Sequence, residues 1–398
     1  MTLANRVSHI NRLVSFFLAV TVAMLIIGFA LGASKLAQQH GFTIDTVLAG
    51  YIHVHPVIMV FGVVGGLLIS EKLEMMGKFK ILGEIPISYP IVASMISGVT
   101  ILSLTYYTIF QDLRFVGAAL IATAGLLFMW FMISRRNPGS TDIKFIMGVS
   151  LLALALGAIS VSFKSATSSP SVALLMLSFP ILYIFGERIE LGLMRGIKHG
   201  YMLLMKVSAV LIPSLLFISS ILQDEIEIRL LFDLALLPMF LFIFAVTIFD
   251  PVFRIRHPRG KLQRFMGAGI LSSYIWIWIG LILYIIQVNI SHGYMDAATH
   301  AIALGFIGSF IIAHSPVIFP LILKLRADTN RVTFSPIIAL DLAVVLRVGG
   351  DLSAMVWKFG NFLSYLSIYI LILAILLFLL NIMRIKNEPE GASLARPL

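Results

Sequence analysis

The 398-residue chain contains no cysteine, and only 12% of its residues are charged, with 19 Asp and Glu against 29 Lys and Arg. Without cysteine there is no disulfide framework, thiolate metal site, Fe–S cluster or CxxCH haem attachment, so a bound metal must be held by His, Met or carboxylates. The scarcity of charge excludes a water-soluble domain: 59% of the residues are hydrophobic, and a soluble fold of this size could not hide them. Apolar/polar alternation is absent as well, which excludes a transmembrane β-barrel. The shortage of acid leaves a net charge of +10. The basic residues, however, lie in short loops between apolar runs, where they set membrane orientation and do not form a nucleic-acid surface.

What remains is a series of apolar runs near the roughly 20 residues that cross a hydrocarbon core about 30 Å thick. They predict an all-α integral membrane protein with twelve spans, at 13–34, 46–70, 89–110, 115–134, 145–163, 171–185, 201–222, 230–249, 265–288, 295–323, 334–346 and 362–383. All belong to one polytopic domain, 1–398, with a polar, flexible tail at 385–398. The eleventh run is short and interrupted by Asp341. The first lacks a small-residue cleavage site and reads as a retained helix. With the N-terminus placed inside, most Lys and Arg fall on the inner loops, the clearest group being Arg254, Arg256, Arg259, Lys261 and Arg264. Both termini are therefore expected in the cytoplasm, with the chain in the plasma membrane and lipid as its main partner.

One internal repeat joins spans that are four apart. The second ends in Ser70-Glu71-Lys72-Leu73-Glu74-Met75 and the sixth in Gly186-Glu187-Arg188-Ile189-Glu190-Leu191, the same small-Glu-basic-aliphatic-Glu-apolar order. The tenth span lies four further on and runs in the same direction, which suggests a pseudo-threefold arrangement of four-helix units. Glu71, Glu74, Glu187 and Glu190 either pair with Lys72 and Arg188 or begin a proton path; Glu71, Glu187 and Glu190 are the candidates for that path.

Of the nine histidines, His9, His40, His199, His257 and His292 fall in tails or loops. His53 and His55 lie in the outer part of the second span, and His300 and His314 on the tenth. An imidazole in hydrocarbon needs partners for both ring nitrogens, so such residues face the bundle interior and mark a site, unless they only hydrogen-bond one helix to another. His53 and His55 point about 200° apart on a regular helix, so one of the two faces a given ligand. Pro56, at the first helical turn or at a kink, would leave an extended backbone before it and let either ring turn inward. His300 and His314 are separated by about 21 Å along the axis and cannot share a metal ion. The outer set, His53 or His55 with His300, has the outline of bis-His haem ligation. Copper or zinc is the alternative metal for these four histidines, since neutral imidazole suits both. His314 lies deeper, as a separate site or relay. Gly62, Gly65, Gly66, Gly305 and Gly308 would either admit a macrocycle or allow close helix packing. Arg347 and Lys358 are candidate partners for haem propionates near the outer face, or pair with Asp351 or the interface.

Two segments resemble a known group. His53-Val54-His55-Pro56-Val57-Ile58-Met59-Val60-Phe61-Gly62 and Thr299-His300-Ala301-Ile302-Ala303-Leu304-Gly305-Phe306-Ile307-Gly308 look like segments of the NnrS family and, more distantly, of subunit I of the haem-copper oxidase superfamily. Leu346-Arg347-Val348 is similar to an Arg-containing segment of the family. The resemblance implies three pseudo-repeated four-helix units with low-spin haem ligands on the second and tenth helices. It also exposes departures. The sixth span reads Phe179-Pro180-Ile181-Leu182-Tyr183-Ile184 and the seventh has only His199 at its edge, so the copper-ligating histidines of catalytic oxidases are missing. Pro56 replaces an acidic residue of the family, and His314-Ser315-Pro316 differs from its Gly-His continuation.

The expected function is that of a haem-binding protein, with b-type haem the expected cofactor, in electron transfer or nitric-oxide-related oxidoreductase chemistry; a redox protein or quinone would be its partner, alone or within a larger complex. The competing readings are a secondary transporter or metal-ion permease, helped by helices broken at Pro56, Pro180 and Pro316, and a non-catalytic subunit of a membrane complex.

Overall fold

The computed structural model describes residues 3–39, 50–76, 80–81, 85–105, 111–134, 141–163, 169–193, 196–254, 258, 260–290, 294–323, 328, 331–354, 356–357 and 359–386. The 387–398 part of the tail, Lys358, His40, His257 and His292 lie outside them.

Lipid offers no hydrogen bonds, so each apolar run must satisfy its own backbone, and helices result. Among the described residues there are twelve long ones: α1 Leu3–Gln39, α2 52–76, α3 Ser88–Thr105, α4 Arg114–Ser134, α5 Thr141–Phe163, α6 Pro170–Leu193, α7 His199–Ile221, α8 Glu225–Phe249, α9 Gly260–Ile290, α10 294–323, α11 Ser335–Ala354 and α12 Phe359–Lys386. A two-residue hairpin, β1 Lys80–Ile81 against β2 Ile85–Pro86, lies between α2 and α3. Eleven of the helices are long and apolar enough to cross a membrane. The exception is α11, which carries Asp341, Arg347 and Asp351. It is nevertheless a continuous 20-residue helix, longer than the run its sequence offers, because these charges find partners inside the protein.

The chain forms two compact units, Met1–Pro251 with α1–α8 and Val252–Leu398 with α9–α12. The division follows the eighth helix, a multiple of four. In the first unit α6 is central: 94% of its apolar window is buried against 22% for α1. Polar side chains in this interior are paired across helices. Ser160 and Ser171 of α5 and α6 meet Ser220 and Ser219 of α7 at 2.7 and 2.6 Å, contacts each worth about 0.6 kcal/mol in a membrane. The start of α8 is fixed by Asp224, whose carboxylate accepts from the backbone N–H groups of Ile226 and Glu227. Gly260 enters α9 at φ +80°, a conformation that costs a residue with a Cβ.

In the second unit α10 packs against α9 and α11, and α12 lies along α11. The close α11–α12 approach depends on Gly350, where a Cβ would meet the backbone N of Ser364 at 2.5 Å. Asp341 of α11 accepts from Ser272 Oγ at 2.5 Å and Trp276 Nε1 at 3.0 Å, both on α9. Two donors in a dry interior compensate the burial of that carboxylate.

Candidate functional site

The two histidine-bearing helices are built alike. After a short turn containing Pro56 (His55–Val57), α2 continues as an eight-residue π-helix, Ile58–Gly65, before returning to α-helix at Gly66. In α10, His300 closes the opening turn Tyr294–His300, and an eight-residue π-helix, Ala301–Gly308, follows at once. π-Helical turns are rare and concentrate at functional sites. Here both follow a histidine and both run into the segments singled out in the sequence.

The backbone before Pro56 is not extended. Ile52–Val54 is a 3-10 turn and His55 has φ −45°, ψ −51°, because Pro56 stands in the first turn, where its missing N–H is not needed. The hydrogen bonds describe the ring orientation of His55. His55 Nδ1 lies 2.6 Å from the carbonyl oxygen of Gly28 on α1. A carbonyl only accepts, so Nδ1 carries the proton and Nε2 carries the ring's lone pair. Gly32, one turn along α1, makes room for the ring: a Cβ there would stand 2.7 Å from His55 Cε1. His53 lies in the 3-10 turn, half-buried.

His300 is held the same way. Its Nδ1 donates to the carbonyl of Asp296 at 2.8 Å, again leaving the lone pair on Nε2. His314 repeats the pattern, with Nδ1 on the Phe310 carbonyl at 2.9 Å and its ring 4.1 Å from the Phe310 ring. A backbone carbonyl on one ring nitrogen is the usual arrangement for a metal-ligating histidine, fixing tautomer and ring orientation.

Around His300 the second unit assembles an ionic cluster. Arg347 of α11, buried, donates through Nη2 to Asp296 Oδ2 at 2.6 Å, and its Nη1 lies 3.3 Å from Asp351 Oδ1. Ser364 of α12 donates to the same Asp351 oxygen at 2.9 Å. Ligand atoms of Asp296, His300 and Asp351 lie within 4.8 Å of one another, close enough to hold a metal ion. The guanidinium already bridges the two carboxylates and supplies the positive charge an ion would bring. Asp296 was not among the residues predicted; it sits in the short polar stretch before the apolar run, and its spacing of four from His300 was the available signal. Arg347 was predicted, and its pairing with Asp351 is observed. Lys358 lies outside the described residues.

Taken by itself, each ring has the chemistry of an axial ligand: His55 within the first unit and His300 within the second each keep a lone pair on Nε2, which suits haem iron. Beside His300, Arg347 Nη1 faces Asp351 Oδ1 at 3.3 Å as an ion pair. The glycines do not add to this. Cβ atoms at Gly62 and Gly65 would meet Met24 and Met95 at 2.6 Å, one at Gly66 would meet Thr21, and one at Gly305 would run into Trp276; these glycines admit protein neighbours.

At the far ends of α2 and α6 the repeated motifs meet. Lys72 donates to Glu71 at 2.7 Å and lies 3.0 Å from Glu187, bridging carboxylates from both copies. Arg188 holds both oxygens of Asp250, just past α8, through its Nε and Nη2 at 2.7 and 2.5 Å. The reason is position: Arg188 faces the buried side of α6, where Asp250 ends its helix. Glu190 is exposed. One turn back from Glu187, Tyr183 is fully buried, and its hydroxyl has no partner among the described residues.

The whole chain is similar in fold to a chain of a haem-copper terminal oxidase dimer solved by cryo-EM, with a TM-score of 0.63, 13% identity, and coverage of 96% of this chain and 84% of that one. At that identity the likeness is one of fold. No curated protein matches the sequence. A family model does, over residues 12–380, and the chain belongs to that family, described as a domain of unknown function, DUF8744.

Proposed function

We propose that the protein is a haem-binding membrane redox protein in which His55 and His300, each assigned within its own unit, serve as axial ligands. The observation that carries this reading is the shared ring geometry: both imidazoles donate through Nδ1 to a backbone carbonyl and stand next to an eight-residue π-helical segment. A bound haem would supply one-electron chemistry or the binding of a diatomic gas; nitric-oxide-related chemistry is the version favoured by the NnrS-like segments. The chain's own residues orient the two rings, and beside His300 Arg347 is held in ion pairs with Asp296 and Asp351. Glu71, Glu187 and Glu190 would exchange protons at the ends of α2 and α6, with Lys72 holding the first two. By the Lys/Arg distribution, those ends and both termini face the cytoplasm of a plasma-membrane protein. His→Ala at 55 or 300 should each abolish a low-spin haem spectrum, whereas His53→Ala should preserve it. An unchanged spectrum in His300→Ala removes the assignment.

A metal-ion permease is the second reading, favoured by the spacing of Asp296, His300 and Asp351. It requires a haem-free protein that binds divalent metal and loses it on Asp296→Asn.

A further inference from the structure

His300 is the end of a chain of contacts that begins two helices away. Ser364 of α12 holds Asp351, Asp351 lies against Arg347, and Arg347 binds the side chain of Asp296. The Asp296 carbonyl holds the imidazole Nδ1–H, and its carboxylate Oδ1 lies 3.8 Å from the same nitrogen. Every member belongs to the second unit, and Arg347 and Asp351 are nearly sequestered, with side chains 8% and 11% exposed. Among the described residues, Asp296 and Asp351 each place a negative charge near the ring, and Arg347 a positive charge that offsets part of it.

A negative charge there acts on His300 in two ways. Next to the imidazole N–H it increases the electron-donating power of Nε2, as carboxylates do for metal-bound histidines. Through space, in an interior where charges are weakly screened, it favours whichever redox state carries more positive charge. Ligand basicity and nearby charge are both established levers on the potential of a haem iron. The residues that build this environment touch neither substrate nor iron; they act through His300.

We propose that Asp296, Asp351 and Arg347 are positioning residues that set the potential of the His300-ligated haem, the carboxylates lowering it and the arginine raising it. The proposal rests on the haem reading above. It sharpens that reading, because it assigns a sign to each residue. Neutralising a carboxylate removes negative charge and makes the iron easier to reduce. Neutralising the arginine removes positive charge and makes it harder.

The test is a spectroelectrochemical titration of the purified full-length protein and of Asp351→Asn, Asp296→Asn, Arg347→Gln and Arg347→Lys, read at the haem bands. The expected result is a shift of the midpoint to higher potential in both Asp variants and to lower potential in Arg347→Gln. Arg347→Lys, which keeps the charge, should stay near the parent. A merely structural cluster would perturb all variants in one direction, or not at all, and either result overturns the proposal while leaving the haem assignment intact. If Arg347→Gln does not fold, the two Asp variants decide, since unchanged or lowered midpoints in both contradict it. A parent protein that contains no haem overturns the haem reading, and the proposal with it.

Discussion

Gly32 and Asp341 show how a single position governs a polar side chain in this interior. A methyl group at 32 would stand 2.7 Å from His55 Cε1 and 2.9 Å from Nδ1, so Gly32→Ala should push the ring off the Gly28 carbonyl. The overpacking cost is about 1–3 kcal/mol; the change is to be read as a shifted or weakened haem band together with a lower unfolding temperature in detergent. Asp341→Ala would strand the Trp276 indole N–H, which now donates to that carboxylate, and leave the Ser272 hydroxyl only its 3.4 Å contact with Ser309. A loss of about 1–3 kcal/mol follows for a buried donor left without an acceptor, measurable as a decrease in thermal stability with altered tryptophan fluorescence. The sequence made the histidines easy to find, since an imidazole in an apolar run is conspicuous. It left His53 and His55 both open, and the carbonyl that orients the His55 ring lies on another helix, 27 residues away. Tyr183 is not singled out by the sequence for a related reason: a tyrosine in an apolar span is ordinary, and only the packing around it shows that its hydroxyl has no partner among the described residues.

At the scale of elements, the repeat at the ends of α2 and α6 was legible as a pattern of charges, but its pairing was not. In sequence, each basic residue is expected to serve the glutamates beside it. Lys72 does so and also reaches Glu187, whereas Arg188 turns to Asp250, 62 positions along the chain. That bidentate, buried pair ties α6 to the end of α8. Removing one partner leaves an uncompensated buried charge, so Asp250→Ala should destabilise the first unit by about 3–5 kcal/mol. Replacing both, Arg188→Met with Asp250→Leu, should cost much less, and comparing the unfolding temperatures of the single and double variants isolates the coupling. The π-helical segments were invisible in advance: an i→i+5 pattern leaves no hydrophobic period distinct from an all-apolar α-helix. α11 was legible only in part, because Asp341 shortened its apolar run; the helix runs on to Ala354 because α9, α10 and α12 provide partners for its charges.

For the molecule as a whole, the number of helices, their membrane character and the oxidase-like fold followed from run lengths and from the two histidine-bearing segments. The location of the unit boundary and the residues around His300 did not, since they depend on contacts between helices. Orientation is open to a direct check, because a chain without cysteine needs no background removed before labelling. Ser393→Cys in the tail should react with a membrane-impermeant maleimide only after the membrane is opened. Trp357→Cys, at an exposed position between α11 and α12, should react in intact cells; the reverse pattern would invert the topology and move the Lys72 cluster to the outer face. The central claim, that the interior of this protein holds a haem, is tested most directly by the reduced-minus-oxidised absorption spectrum of the purified, full-length chain. The account predicts the sharp bands of a low-spin, bis-histidine haem, with haem present in stoichiometric amount. A colourless preparation that is folded and helical but free of haem would contradict it.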